Sequence, residues 1–425
     1  MDGEGQVTQT CHMQGEYRYG VAVRRGIKMQ DDESIGARIA TERKLRGLSQ
    51  QRLADHAHVS VSLLRKVEQG SRAASHAMVS AVAAALRVDR TELTGQPYRS
   101  GDRTLDAVHD LIPEVRRELV AYRLPPDEDR EVPSLNQLRG SVSAISQARH
   151  DVDLFELGAK LPLVLGDLRT AAWTSRGLAR EEQMRLLGEV YYATRQFLHK
   201  LGYPDLASLV ADRYEWAAEQ ADDPLALALS RVFRAGELDA AADWRGACTL
   251  MARTINEFDH REDGDALSVL GFLHLMAAYM SAHAGDDVQT WTHHREAEEL
   301  AARLGRDGDA YRLSFGPTNV AIWGTALGVE LMDGAKAVDR AQHVRLTAET
   351  PPERAGHHYI DLARGQLMNG DQAGVIGSLL MARRIAPQQT RYHPMARETV
   401  YALARAERRA TDSVRGLAVW MGVPD

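Results

Sequence analysis

The sequence predicts an all-α protein, with a small N-terminal module of five helices ahead of a long helical array. Three observations carry this prediction. From Ser134 onward, Ala, Leu, Arg and Glu dominate, and apolar residues recur at i, i+3 and i+4 with no strand-like alternation. Between Ser34 and Leu93, serine starts and glycine stops divide the chain into short helices. Further on, Leu331-Met-Asp-Gly334 recurs as Leu367-Met-Asn-Gly370, 36 residues later, a spacing at which paired helices repeat. At 425 residues the chain is too long for one core, so two or more domains are expected.

Residues 1–30 hold few large apolar residues and no helical period. They read as a flexible arm, or as a stretch ahead of a true start at Met29. Arg18, Arg24, Arg25 and Lys28 would let such an arm reach a polyanion. Residues 31–95 form the helical module, closed by Gly95-Gln-Pro-Tyr98 and Ser100-Gly-Asp102. Residues 96–133 read as a linker. It contains a helical stretch, Leu105–Tyr122, interrupted at Pro113, and then the charged, proline-bearing segment Leu124–Pro133. Residues 134–425 read as helices of roughly 12–20 residues. Their breaks fall at Gly202-Tyr-Pro204, Ala221-Asp-Asp-Pro224, Gly285-Asp-Asp287 and Gly305-Arg-Asp-Gly308. A helix, a glycine turn, a second helix and a terminal proline at about 34 residues is the tetratricopeptide (TPR) rhythm. Both echo copies fit it, with Pro351 and Pro387 as terminal prolines. Counted from Gly356, the last repeat puts Leu362 and Ala363 on its first helix, and Leu379 and Ala382 on its second. The prediction is a TPR-like α-solenoid.

The segment Leu48–Gly70 carries the chemistry. Ser49 suits an N-cap, with a helix from Gln50. Leu53 and Ala54 face inward, and Ala54 is small because the next helix crosses there. Val59 is the apolar turn residue. Ser60 caps a second helix, with Leu64 and Val67 inward at i and i+3, and Gly70 stops it. Ser75 caps a further helix whose Val79, Val82 and Leu86 close a small core. This order of residues (Leu-Ser-Gln, Leu-Ala, apolar-Ser, Leu-x-x-Val-Glu-x-Gly) resembles the phage-repressor-like, or Xre (Cro/C1), helix-turn-helix family. One departure is His58, where that family usually has glycine.

The resemblance implies a lambda-repressor-like domain that lays the Ser60–Gln69 helix in the major groove of double-stranded DNA. It implies base readout by Val61, Ser62, Arg65 and Lys66, with Ser60 and Gln69 at the two ends of the same helix. Lys66 or Arg65 would donate to guanine N7 and O6, and Val61 would meet a thymine methyl. Gln50 is expected at a phosphate. Arg43 and Glu68 are expected to form a structural pair. Regulators of this kind act as homodimers on two half-sites.

Charge agrees with a local polyanion site. Between Ser34 and Arg90 stand ten basic and four acidic residues, a net +6, which leaves −13 for the rest of a chain whose total is −7. A basic block on an acidic chain suits one nucleic-acid face rather than general coating. Arg outnumbers Lys, which fits a GC-rich genome.

A small DNA reader ahead of a long TPR-like domain resembles bacterial regulators that read short signalling peptides, as in quorum sensing. Ser314-Phe-Gly-Pro-Thr-Asn-Val-Ala321 and Arg391-Tyr-His-Pro394 are similar to segments of high-GC bacterial Xre regulators with TPR-like sensors. The resemblance implies control by a peptide or small-molecule effector in a concave groove. Pro317 suits the first position of a helix, which puts Asn319 and Trp323 one turn apart. With Trp291 and Tyr279 they are the candidate groove residues, although each also fits an ordinary core or capping role.

Other classes find little support. Cys11 and Cys248 cannot make a disulfide framework or a thiolate zinc site. The adjacent pairs His293-His294 and His357-His358 point different ways on a helix, so no metal and no cofactor are expected. Nucleotide-binding, hydrolase and kinase motifs are missing, and the chain reads as a non-enzyme. The longest apolar run is Ala81–Leu86 and no signal peptide stands at the start, so a cytoplasmic, nucleoid-associated protein without a membrane partner is expected. The leading expectation is a DNA-binding transcriptional regulator. The alternatives are a TPR-type sequestration protein, and a constitutive repressor whose helical part only dimerises.

Overall fold

Serine hydroxyls start the first helices in the computed structural model, which describes residues 34–99, 106–126, 131–258, 262–406 and 412–423. The expected arm, residues 1–30, lies outside the described residues. Ser34 Oγ accepts from Ala37 N to open α1 (Ile35–Leu45). Ser49 does the same for α2 (Gln50–His56), Ser60 for α3 (Val61–Glu68) and Ser75 for α4 (His76–Leu86). Asp89 caps α5 (Arg90–Thr94), and Gly95 ends it in the left-handed region at φ +76°. The expected inward residues Leu53, Ala54, Leu64, Val67, Val79, Val82 and Leu86 are all buried, and Val59 is half-buried. Gly36 is required for this packing. A Cβ there would lie 2.0 Å from the Val67 carbonyl oxygen, so only glycine lets α1 cross so close behind α3.

The linker departs from expectation at Pro113. A short 3-10 turn, Ala107–Leu111, leads directly into α6 (Ile112–Val120), and Pro113 occupies its first turn. A helix start has no partner for that N–H, so the proline begins the helix instead of interrupting one.

The rest is a succession of antiparallel helices, as the all-α prediction required. It runs through α7 (Leu135–His150), α8 (Leu154–Thr174), α9 (Gly177–Leu201), α10 (Pro204–Gln220), α11 (Pro224–Ala240) and α12 (Trp244–Asn256). It continues with α13 (Gly264–His283), α14 (Asp287–Leu304), α15 (Pro317–Glu330), α16 (Gly334–Gln342), α17 (Pro352–Met368) and α18 (Gln372–Ile385). It closes with α19 (Pro387–Tyr392), α20 (Pro394–Ala406) and α21 (Asp412–Met421). Each helix packs chiefly on its chain neighbours, so most of the array is built from local contacts. The expected breaks hold. Gly202, Gly285 and Gly305 take positive φ, and Pro204 and Pro224 open the helices that follow. Helix α13 is long and apolar enough by composition to cross a membrane, but it is the central helix of the array and its most apolar stretch is 89% buried there.

The two echo copies both form helix pairs, α15–α16 and α17–α18, but their turns are out of step. In the second copy Gly370 takes the left-handed position and Asp371 caps the next helix. In the first, Met332 takes that conformation at φ +61° and Asp333 is the cap, so Gly334 already lies inside α16. The shared Leu-Met-Asp/Asn-Gly letters are therefore displaced by two residues from the shared geometry. In the last repeat Ala363, Leu379 and Ala382 are buried at the pair's seam, while Leu362 is half-buried.

The N-terminal module is seated on the array within one compact unit, residues 33–425. Helix α20 makes the main junction. Met395 completes the module's core, and Trp244 packs against the same cluster. The buried Glu398 carboxylate accepts from Ile35 N at 3.1 Å, Arg405 donates to Ser34 Oγ at 3.1 Å, and Arg397 lies over the Tyr98 ring.

Candidate nucleic-acid interface

Helix α3 presents a polar face outward and an apolar face inward. Leu64 and Val67 are buried, while Ser62, Arg65, Lys66 and Gln69, at i, i+3, i+4 and i+7, are exposed. These four share one stripe, which is free of covering segments among the described residues. Ser60 is exposed too, but its hydroxyl is engaged as the cap, accepting from Leu63 N at 3.1 Å. Val61 is half-buried and packs against the module's core, so only part of it is open.

The turn before α3 fixes its angle. Val59 N donates to the Ala54 carbonyl at 3.0 Å, and His58 stands in the left-handed region at φ +53°. This left-handed conformation favours glycine, the residue expected at the turn from the helix-turn-helix resemblance. At the far end of α3, Ser71 and Arg72 return backbone N–H groups to the Lys66 carbonyl, and Gly70 takes φ +67°.

A carboxylate behind α3 locks the helix to its supports. Glu68 receives Arg43 in a forked pair, Nε to Oε1 at 2.6 Å and a terminal nitrogen to Oε2 at 2.9 Å. Arg43 also donates to the Leu48 carbonyl at 2.8 Å, which ties in the start of α2. The hydrogen bond to Glu68 raises the Arg43 pKa above its ordinary value. Gln50 Nε2 donates to the same Glu68 at 2.7 Å. The side chain expected at a phosphate is thus turned onto Glu68. It keeps a second amide proton, and its helix N-terminus still faces outward. No local pattern points to this bond, because it joins residues 18 apart on different helices.

Arg72 is one of the ten basic residues between Ser34 and Arg90, and no motif position assigns it a role. It is exposed in the loop after α3 and shares with Lys66 a cleft of about 770 Å³. The opposite wall of that cleft comes from the α15–α16 and α17–α18 turns.

The expected groove residues do not converge on one space. Asn319 is buried. Its Nδ2 donates weakly to the Leu313 carbonyl at 3.5 Å, and its Oδ1 has no partner among the described residues. It lines a polar cavity of about 360 Å³ with Ser146, Arg312 and Thr318. Trp323 lines a separate cavity of about 220 Å³ and stacks edge-on with Tyr279. Arg312, Ser314, Ile322 and Arg354 form the shared wall between the two cavities. Trp291 lines neither cavity; it packs with Tyr279 against Ala278, Ala282 and Leu327, and donates to Asp287 at 2.8 Å beneath Lys336 and Arg340.

Residues 34–94 match the family model of a helix-turn-helix domain. The chain therefore carries a helix-turn-helix domain, the class of module that reads duplex DNA through its second helix. No curated protein and no solved structure is matched by the chain.

Proposed function

We propose that the protein is a sequence-specific transcriptional regulator of the Xre type. Its α3 enters the major groove, and its helical array, read as a TPR-like sensor, controls it through a bound effector or partner. The observation that carries this reading is the exposed stripe Ser62, Arg65, Lys66 and Gln69 on the second helix of a matched helix-turn-helix domain. In this reading Arg65 and Lys66 donate to guanine edges or neighbouring phosphates, and Ser62 reads a base near the start of the helix. A single module of this size binds weakly, so the working form is a homodimer on two half-sites. Control by the array is supported by the junction at α20. Met395 sits in the module's core and Glu398 holds the first turn of α1, so movement of α20 is felt directly behind α3. A chain with these parts acts by binding and not by catalysis, in the cytoplasm where its DNA is.

The test is binding of the full chain to fragments of its own upstream region, at about 50 and about 200 mM salt, where phosphate contacts lose affinity steeply. A footprint at one or two sites whose affinity falls with salt supports the reading. Equal, weak affinity for every fragment contradicts it.

A further inference from the structure

A cavity of about 590 Å³ opens where α4 and α5 meet the array. Much of its wall is apolar: Ala83, Ala84 and Val88 from the module, Ala240 and Ala241 from the end of α11, and Pro394 from α20. Nitrogen bases from both sides point into it. His76 and Arg90 come from the first turns of α4 and α5. His199 and Lys200 come from the last turn of α9, His357 from α17, and His393 from the α19–α20 junction.

Their states suit an anion. The His76 and His393 ring centres are 6.2 Å apart, and those of His393 and His357 are 5.5 Å apart. Burial pushes His76 down to about 3 and His357 to about 4, and holds His393 well below the ordinary imidazole value. These three are therefore neutral imidazoles that a neighbouring negative charge would help to protonate, His357 already against Glu353 and His393 accepting from Ala396 N at 3.4 Å. The Arg90 guanidinium has no carboxylate partner among the described residues, and its one hydrogen bond is a long 3.5 Å contact to His76 Nδ1. The His199 side chain is exposed on the cavity wall and makes no hydrogen bond among the described residues.

The carboxylates facing the same space are largely engaged. Asp89 accepts from Thr91 N at 2.7 Å. Glu237 holds Arg195 at 3.4 Å and Ser208 at 2.7 Å. Glu353, behind the wall and not lining this cavity, holds Lys200 at 3.0 Å and His357 at 3.3 Å. Asp205 lies exposed in the first turn of α10, where the helix N-terminus balances its charge. Behind His76 stand the His283 ring, 6.5 Å away centre to centre, and Glu330 and Arg364, Glu330 pairing with both His283 and Arg364. Within the cavity an unpaired cation and unprotonated imidazoles remain.

A concave, mostly apolar space with a few convergent polar groups at a domain boundary has the form of a small-molecule site. We propose that this junction cavity is the effector site and that it takes a small organic anion. The charged end lies against Arg90, His76 and His199, and the apolar body lies against the alanine-lined wall. The assignment rests on the regulator reading only for its consequence. Because module and array both hold the anion, binding favours the arrangement in which these residues face one another. The effector shifts DNA affinity by its preference for that arrangement.

The experiment uses the full chain with 8-anilinonaphthalene-1-sulfonate, an aromatic anion whose emission rises on leaving water. One probe per chain is expected, binding more tightly at about pH 6 than at about pH 8 because the imidazoles take up protons. Arg90→Gln weakens it about tenfold or more, the loss of one charge-assisted hydrogen bond. Ala84→Phe, which fills the cavity from a solvent-facing position, abolishes it. Arg303→Gln, the same charge change at a remote surface pair, leaves it unchanged. Octanoate displaces the probe and octanol does not. Wild-type-like binding by both Arg90→Gln and Ala84→Phe, or no saturable binding at all, overturns the site. If Ala84→Phe fails to fold, as judged by its melting curve, Arg90→Gln at its half-exposed position decides the matter. Displacement by octanoate with no change in DNA affinity overturns the effector role. A saturable site in a chain that never binds DNA supports the site and overturns the regulator reading instead.

Discussion

His58 stands at φ +53°, in a conformation that costs a residue with a Cβ roughly 1–2 kcal/mol. Glycine is freer at this turn but loses more entropy on folding. His58→Gly should therefore leave stability unchanged or raise it by up to about 1 kcal/mol, with DNA affinity intact. Urea unfolding measures this, and a clear loss of stability contradicts it. Arg43 gives the opposite prediction. Its removal leaves the nearly buried Glu68 carboxylate without a counter-charge and with Gln50 as its side-chain donor, so Arg43→Ala should cost about 3 kcal/mol by the same measurement. A cost near zero would mean that Glu68 finds another partner. Residues of this kind were legible in unequal degree. Ser34, Ser49, Ser60 and Ser75 bond within their own first turns, so adjacent letters reveal them. Gln50 bonds to Glu68 across two helices, and no local pattern carries that information. Arg90 and His199 face one cavity only because the module docks on the array.

At the scale of elements, α20 is the piece that joins reader to array. Burial pushes the Glu398 carboxyl up to about 7, against the pull of backbone N–H groups at Ile35 and Ala74. A raised carboxyl favours its protonated form, so its stabilising contribution is full below the unfolded value near 4.5 and is lost as pH rises through about 7. The junction should therefore loosen between about pH 5 and about pH 8, read by hydrogen exchange at α1. Glu398→Gln, a neutral group of the same shape, should remove that dependence. An unchanged pH profile in the variant contradicts the assignment. Helix boundaries in the array were readable because glycine and proline mark breaks locally, as at Gly202 and Pro204. The echo was readable as letters but not as geometry, because Met332 takes the turn position that Gly370 takes in the next pair. The partner of α20 was not readable at all, since its contacts with the module span most of the chain.

At the scale of the whole molecule, a buried network ties the array together beside the module. His283 holds Asp239 at 2.7 Å and Glu330 at 3.3 Å, and Arg364 holds Glu330 at 2.8 Å and Asp361 at 2.9 Å. Burial opposes protonation of His283, but the two carboxylates outweigh it and raise it to about 9. Its contribution is full below the ordinary imidazole value and is lost as pH rises through about 9, so thermal stability should fall on that alkaline limb. His283→Gln should lower stability at neutral pH and flatten the limb. The plan of a basic module beside an acidic helical array was visible in composition, whereas the seating of one on the other arises from tertiary packing. The central claim is that the exposed stripe of α3 reads DNA sequence, and selection of bound duplexes from a random pool tests it most directly. The wild-type chain should enrich one motif with half-sites about one helical turn apart, and Ser62→Ala/Lys66→Ala should lose that preference while keeping its melting temperature. Enrichment of the same motif by the folded double variant, or of no motif by the wild type, would contradict the account.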